Sequence, residues 1–433
     1  MNLARLAAEA GAAGRPVRAG LIGAGKFGSM FLSQVPTIRG LVVTAIADLA
    51  PDRARAACRA VGWDDARVRA TAFGDDGAAL AARDDVDVVI EATGHPRAGI
   101  AHALAAIAAG KHVVMVNVEA DVLAGAALAR RAAAAGVVYS MAYGDQPALV
   151  AEMVDWARAA GFGVAAAGKG TKYLPAYHAV TPDDVWDHYG LTPEAAAAAG
   201  MNPQMFNSFL DGTKSAIEGA AIANATGLGV PEGGLGFPAC GVDDLAHLLR
   251  PRSVGGVLDG APGSGMVEVV SSLERDGRPV FRDLRWGVYV VLEAPNDYAA
   301  ACFGQYGLPT DATGRFAAMH KPFHLIGLEL SVSVLSAALR GEPTGRTEAM
   351  RGQAVAVAKR AMRAGEMLDG EGGWTVWGRL APAGAGGLPI GLAHGVALTR
   401  DVAAGEALAM GDAGLDPDDL GVRMHREALS GAG

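Results

Sequence analysis

Apolar runs and helical stretches alternate along the first third of the chain. "VRAGLIGAG", from Val17, joins an apolar strand to a glycine-rich turn, and "GLVVTAIAD" (40–48) is a second, uninterrupted apolar strand. "VDVVIEATG" (86–94), "KHVVMVN" (111–117) and "GVVYSMAYG" (136–144) continue the series, with alanine-rich helical stretches between them. Strands that are apolar on both sides and separated by helices predict a parallel sheet covered on both faces. Residues 1–15 read as a short amphipathic helix ahead of it, with Leu3, Leu6 and Ala7 on one side. This first domain is expected over 1–150.

The texture then changes. "GVAAAGKG" (163–170) is a strand, followed by a long polar loop and one helix, "PQMFNSFLDGTKSAIEGAAIANATG" (203–227). "GMVEVVSSLE" (265–274) and "WGVYVVLEA" (286–294) are further strands with little helix between them, which predicts an α+β domain over 151–345 for catalysis and dimerisation. The apolar helix expected at 323–340 packs back on the first domain. Beyond it, "KRAMRAGEMLDGEG" (359–372) and "TRDVAAGEALAMGD" (399–412) share the form Arg-x-x-x-Ala-Gly-Glu-x-Leu. Each reads as a strand and an "AGE" turn, so a small β-rich domain is expected over 346–433.

Composition narrows the partners. Apolar residues make up 51% and charged residues 19%, the balance of an ordinary globular protein, and a net charge of −9 with no basic run excludes nucleic acid and anionic membranes. Cys58, Cys240 and Cys302 are far apart and match no metal or disulfide spacing, which fits a reducing cytoplasm. The N-terminus carries Glu9 and lacks the apolar stretch of a secretory signal. "HLIGLELSVSVLSAAL" (324–339) carries Glu329 and falls short of the ~20 residues that span a bilayer.

Gly23, Gly25 and Gly28 form G-x-G-x-x-G directly after the first strand and before a helix, with Lys26 and Phe27 inside the motif. Such a turn lets a pyrophosphate approach backbone amides at a helix N-terminus, and Asp48 at the end of the next strand suits the ribose hydroxyls. The domain is therefore expected to be Rossmann-type and to bind NADH or NADPH. Asp48 favours NAD, while Arg53 and Arg55 just beyond suit the phosphate of NADP. Thr93, Gly94 and His95 end the third strand, and Asn117 and Glu119 follow the fourth, all at the sheet edge where ligands bind. His95 and Glu119 can serve equally as helix-start residues.

Lysine is scarce, 7 against 30 Arg, yet four of the seven lie between Lys169 and Lys321. Asp211 and Lys214, three apart on the expected helix, share a face with Glu218 one turn on, and their apolar flanks imply burial. Such a face is either an ion-pair ladder or a proton-handling site. Asn207 stands on the same helix. Lys169 and Lys172 follow a strand beside Gly170 and Thr171, a setting suited to a phosphate or carboxylate. His320, Lys321 and His324 form a third group for the same anion. His320 and His324 would make a metal pair if helical, but Pro322 lies between them.

On these motifs the chain resembles a known group. The fingerprint with "EATGHP" and "GKHVVMVN" resembles homoserine dehydrogenases. The fuller set, "YGDQPAL", "NSFLDGTKSAIE", "PFHLIGLE", "RGEPTG" and the C-terminal repeat, resembles bacterial homoserine-dehydrogenase-like oxidoreductases that end in a SAF domain, a β-clip module. That group includes the type II, reductoisomerase-like enzymes that convert 1-deoxy-D-xylulose 5-phosphate to 2-C-methyl-D-erythritol 4-phosphate with NADPH.

The resemblance implies an α/β protein in three parts: a Rossmann domain, an α+β catalytic domain and a small SAF-like β-clip domain. It implies Lys214 as the group that polarises a carbonyl and Asp211 as its orienter. Lys169, Lys172, Lys321 and His324 would clamp the anion, with Glu119 as a spare acid or metal ligand. A divalent cation, Mg2+ or Mn2+, accompanies better-known reductoisomerases, without assignable ligands here. The alternatives are a simple alcohol–aldehyde dehydrogenase acting on a small anionic hydroxy compound, and a non-catalytic nucleotide-binding sensor. A homodimer through the second domain is the default expectation.

Overall fold

The computed structural model describes residues 2–431 and divides into two compact units. The outermost positions of the first and third expected domains, 1 and 432–433, lie outside the described residues. One unit takes in residues 2–152, 324–349 and 423–431, and the other residues 153–323 and 350–422. The segment expected as a third domain is thus shared between the two.

The first unit is built on six parallel strands, β1 (Val17–Ile22), β2 (Leu41–Ala47), β3 (Ala72–Gly74), β4 (Val88–Glu91), β5 (His112–Met115) and β6 (Tyr139–Met141). Their order, β3-β2-β1-β4-β5-β6, is that of a Rossmann-type sheet. β3 is an edge strand of three residues, too short for any hydrophobic period to announce. Leu21, Ile46 and Ile90 of the sheet bury against Phe31 and Leu32 of the helix Lys26–Gln34.

The late apolar segment does return to this unit. Its helix, Ser331–Arg340, packs on β1, β4, β5 and β6 and places Leu330 and Val334 in the same core. It is shorter than the 323–340 expected, because Gly327 takes a left-handed backbone (φ +76°) and the residues before Ser331 form turns. A last helix, Leu420–Ser430, also rejoins this unit against the helix Val118–Ala134. His425 Nδ1 lies 3.0 Å from the carbonyl of Leu123, and Arg131 makes a two-pronged ion pair with Glu427.

The second unit carries a mixed sheet of β7 (Gly163–Thr171), β8 (Met266–Ser271), β9 (Val288–Glu293) and β10 (Phe316–Lys321), in the order β10-β9-β7-β8. β10 replaces what the pattern presented as the run-in to a helix. The helix Thr213–Thr226 covers β7 and β8 on one face, and the short helix Leu245–Leu248 lies on the other face under β9 and β10. The β-rich segment comes next, with β11 (Gly352–Ala358) pairing β13 (Val376–Pro382) and β12 (Met367–Asp369) pairing β14 (His394–Ala397).

The two "AGE" repeats bond to each other reciprocally. Gly365 N–H donates to Leu398 O and Gly405 N–H to Ala358 O, each at 2.8 Å, while Met362 and Val402 exchange both backbone bonds at 2.9–3.0 Å. Glu366 and Glu406 each close their own turn by accepting an amide, from Arg363 and Ala403. The repeat seen in the sequence is therefore a local two-fold pairing.

Candidate active site

The glycine-rich turn has the backbone its residues require. Gly23 adopts φ +92°, and a Cβ there would lie 2.7 Å from the carbonyl of Ala92. A Cβ at Gly28 would lie 2.6 Å from the carbonyl of Gly23, so strand and helix touch backbone to backbone. Gly25 caps the helix and is different, since a Cβ there would meet nothing within 4 Å. Open space in front of a capping glycine is what a pyrophosphate needs, so the turn fits a dinucleotide. Lys26 is exposed at the first turn, whereas Phe27 packs toward the core instead of the cleft.

Asp48 is held in place by bonds within the protein. Its carboxylate is buried and accepts the amides of Ala24 and Ala50, each at 2.9 Å, while Arg53 reaches it at 3.1 Å. Burial pushes the carboxyl up, but the two amides and the guanidinium outweigh it and hold Asp48 below the usual carboxylate value. Asp48 therefore ties the second strand to the glycine-rich turn, beside an exposed Arg53.

The residues after β4 and β5 form one shelf. His95 caps the helix Pro96–Ala108 through Nδ1, and Asn117 caps the helix Val118–Ala134 through Oδ1 while its Nδ2 donates to His95 O at 3.0 Å. Thr93 and Gly94 are exposed between them, and Glu119 stands in the first turn of the second helix. Reading the pattern missed Glu91, which is fully buried at the end of β4. Its Oε1 accepts the Thr93 hydroxyl at 2.6 Å and faces His102 Nδ1 at 3.2 Å, which fixes the turn. A glutamate inside an otherwise apolar strand was its visible signal.

In the second unit the expected acid–base helix is two helices. The first ends at Leu210 with Asp211 as its cap, Gly212 turns left-handed (φ +92°), and Thr213 starts the second. Asp211 and Lys214 therefore do not share a helical face. Asp211 is fully buried, accepts the Thr213 amide at 2.9 Å and pairs with Lys359 at 2.9 Å. Burial pushes its carboxyl up against the pull of that lysine. Lys359 also donates to Val180 O and Gly373 O, so the pair fastens the β-rich segment to the helix junction. Asn207, expected at the substrate, does the same, its Nδ2 donating to Val180 O and Gly372 O.

Lys214 opens the second helix and is part-buried, and Glu218 lies one turn on along the same face. Glu218 forms a buried ion pair with Lys169 of β7. Strand register extends the site. Val269, Lys169, Val288 and Lys321 stand in one row across the sheet and lean to the face covered by this helix. His320, with Tyr289 and Gly168, belongs to the next row and leans to the opposite face, so strand geometry separates it from Lys321. His320 lies in β10 and His324 beyond its end, so the helical spacing on which a metal pair would depend is absent. Among the described residues no group of three or more His, Cys, Asp and Glu is placed to hold a metal ion, so the expected cation has no such site.

Lys172 closes the row's strand end. Its Nζ donates to His188 O, and burial, then the nearby Arg285, lowers its pKa. An aromatic wall not anticipated from the sequence borders the start of the lysine helix. Tyr173 stacks on Phe237 at 3.9 Å between ring centres, and His178 stacks on Trp377 of β13 at 3.7 Å. Tyr173 Oη lies 2.9 Å from His178 Nε2, and His178 Nδ1 faces the Asp211 carbonyl. That carbonyl can only accept, so Nδ1 carries the proton and the phenol donates to Nε2. Burial lowers the His178 pKa, which favours this neutral form.

Residues 17–143 match the oxidoreductase family with an NAD-binding Rossmann fold, and residues 144–330 match the catalytic domain of oxidoreductase DRL. The chain is thus similar, in order, to an NAD-binding Rossmann domain and an oxidoreductase catalytic domain. Similar solved structures include a myo-inositol dehydrogenase from Lactobacillus casei, with 18% identity and a TM-score of 0.29 over 39% of this chain and 50% of that one. A probable dehydrogenase from Thermotoga maritima has 16% identity and a TM-score of 0.41 over 76% of this chain and 90% of that one. The chain thus spans half the length of the first of these. No curated protein matches the sequence. Among the described residues no helix is long and apolar enough to cross a membrane.

Proposed function

We propose that the chain transfers hydride between NAD(P) and a small anionic hydroxy or carbonyl compound, with proton handling by Lys214 and the Lys169–Glu218 pair. The observation that carries this reading is the buried Lys169–Glu218 pair one helical turn from Lys214, in a row that ends at Lys321. Bound NAD(P) supplies or accepts the hydride. Lys214, an ammonium with a tunable pKa, is suited to protonate the alkoxide that hydride addition creates, which a guanidinium cannot do. Glu218 holds Lys169 in place, and Lys172, Lys321 and Arg285 supply positive charge for a phosphate or carboxylate. The proposed assembly is a homodimer acting in the cytoplasm.

The test is oxidation of NADPH and of NADH with 1-deoxy-D-xylulose 5-phosphate and with aspartate semialdehyde, for the native chain and for Lys214→Arg. Turnover with either carbonyl that disappears in Lys214→Arg supports the reading. An Arg variant as active as the native chain defeats it. A second reading, drawn from the motifs that resemble reductoisomerase-like enzymes, is that a skeletal rearrangement precedes reduction. A branched polyol phosphate formed from deoxyxylulose phosphate would select that reading, and an unbranched product the simple reduction.

A further inference from the structure

The loop at residues 324–329 lies after β10 and before the helix Ser331–Arg340, within the same unit as the glycine-rich turn. Two glycines fix its course. Gly327 adopts φ +76°, and a Cβ there would lie 2.7 Å from Met30 Cβ and 2.9 Å from the carbonyl of Phe27. The loop backbone therefore rests directly on the first turns of the dinucleotide helix. Gly144, in the turn after β6, adopts φ +93°, and its Cβ would lie 2.8 Å from the carbonyl of Leu325. One short loop thus touches both the helix after β1 and the turn after β6. Both contacts follow the carboxyl ends of their strands, so the loop sits at the carboxyl edge of the sheet, in which β4 and β5 lie between β1 and β6.

The loop is tied down at both ends. The Glu329 carboxylate accepts the Leu325 amide at 3.2 Å, Leu330 is fully buried, and Ser333 Oγ accepts the Tyr143 amide at 2.7 Å and donates to Met141 O at 3.1 Å. Leu325 and Leu328 nevertheless remain 42% and 37% exposed. A fixed loop that offers apolar side chains at a sheet edge is a surface prepared for a flat, largely apolar group. In an open α/β sheet a dinucleotide anchored at the helix after β1 extends over the carboxyl ends of the neighbouring strands.

We infer that the loop 324–329 is the wall against which the nicotinamide half of the dinucleotide packs, with Leu325 and Leu328 against the ring. This rests on the NAD(P) reading of the glycine-rich turn, and it assigns the segment to the cofactor, where the lysine row serves the substrate. The adenosine half, held at the end of β2, does not touch it.

Calorimetric titration of the full chain tests the difference between the two halves. The probes are NADPH and NADH, each carrying the nicotinamide, and 2′,5′-ADP and AMP, which lack it. The variants are Leu325→Ser with Leu328→Ser, which removes apolar contact without backbone strain, and Gly327→Ala, which forces the loop off the helix. Both should weaken the dinucleotides by about tenfold or more, the loss of one well-buried apolar contact. Binding of 2′,5′-ADP and AMP should stay within about twofold of native. Equal weakening of all four probes would show a merely structural loop and overturn the inference, as would unchanged dinucleotide binding. A native chain that binds the adenosine probes but gains nothing from the nicotinamide also overturns it. A native chain that binds none of the four defeats the NAD(P) reading itself.

Discussion

The Lys169–Glu218 pair is removed from water on both sides, with side chains 7% and 5% exposed. Desolvating two charges consumes most of what their attraction returns, so such a pair is a weak source of stability but costly to break. Lys169→Met alone should destabilise the fold by about 3–5 kcal/mol, because it strands a buried carboxylate. Lys169→Met combined with Glu218→Leu should recover most of that loss in denaturant unfolding while turnover stays absent. A double variant that regains activity would make the pair structural. Asp121 offers a second test at this scale. It is fully enclosed, accepting the Tyr139 and Thr347 hydroxyls at 2.8 Å, and burial pushes its carboxyl up from 3.8 to about 6. The unfolded chain releases this proton near 3.8 and the folded chain only near 6, so stability falls as pH rises between those values. The loss is on the order of 3 kcal/mol and is complete above the folded value. Asp121→Asn should remove that slope when unfolding is followed at pH 4 to 7. Lys214 stands out in the sequence because lysine is rare in an arginine-rich chain. The partner of Asp211 does not, since Lys359 lies in a segment that pattern alone assigns to a separate domain.

Elements show where periodicity informs and where it misleads. The continuous apolar strands of the first unit announced their sheet, and the glycines announced the turn. The apolar period of 203–227 runs through Gly212 and predicts one helix, and only the left-handed backbone at that residue divides it. β10 was hidden by the apolar residues just after it. The glycines now separate two kinds of loss. Gly25→Ala adds a Cβ into open space, so the melting temperature should hold while NAD(P) affinity falls by about tenfold or more. Gly28→Ala drives a Cβ into the Gly23 carbonyl, so stability and affinity should fall together. Thermal melting and cofactor titration of the two variants check both outcomes. Lys359 acts at the same scale, because it holds Asp211, and Asp211 caps the first amide of the lysine helix. The β-rich segment therefore contributes to the position of Lys214 from its side of the unit.

At the scale of the whole molecule the chain enters each compact unit more than once, which no local pattern reveals. The sequence marks a β-rich tail, but the charged and apolar residues of 420–430 look like any amphipathic helix, and nothing in their period names the surface they cover. The structure places Val422, Met424 and Ala428 in buried positions and sets His425, 3% exposed, against the helix Val118–Ala134. That helix starts at Asn117 and Glu119, on the shelf where the cofactor's nicotinamide end is expected. A chain ending after residue 417 should therefore lose thermal stability in the cofactor unit, since three apolar side chains and the Arg131–Glu427 pair are exposed or lost together. The buried contact between Asp211 and Lys359 lies wholly within the other unit and should persist. Hydrogen exchange followed by mass spectrometry separates the two. Faster exchange in 118–134 with unchanged exchange in 213–226 is the expected result. Uniform acceleration through both segments would mean that the last helix supports the fold as a whole and not the cofactor unit alone.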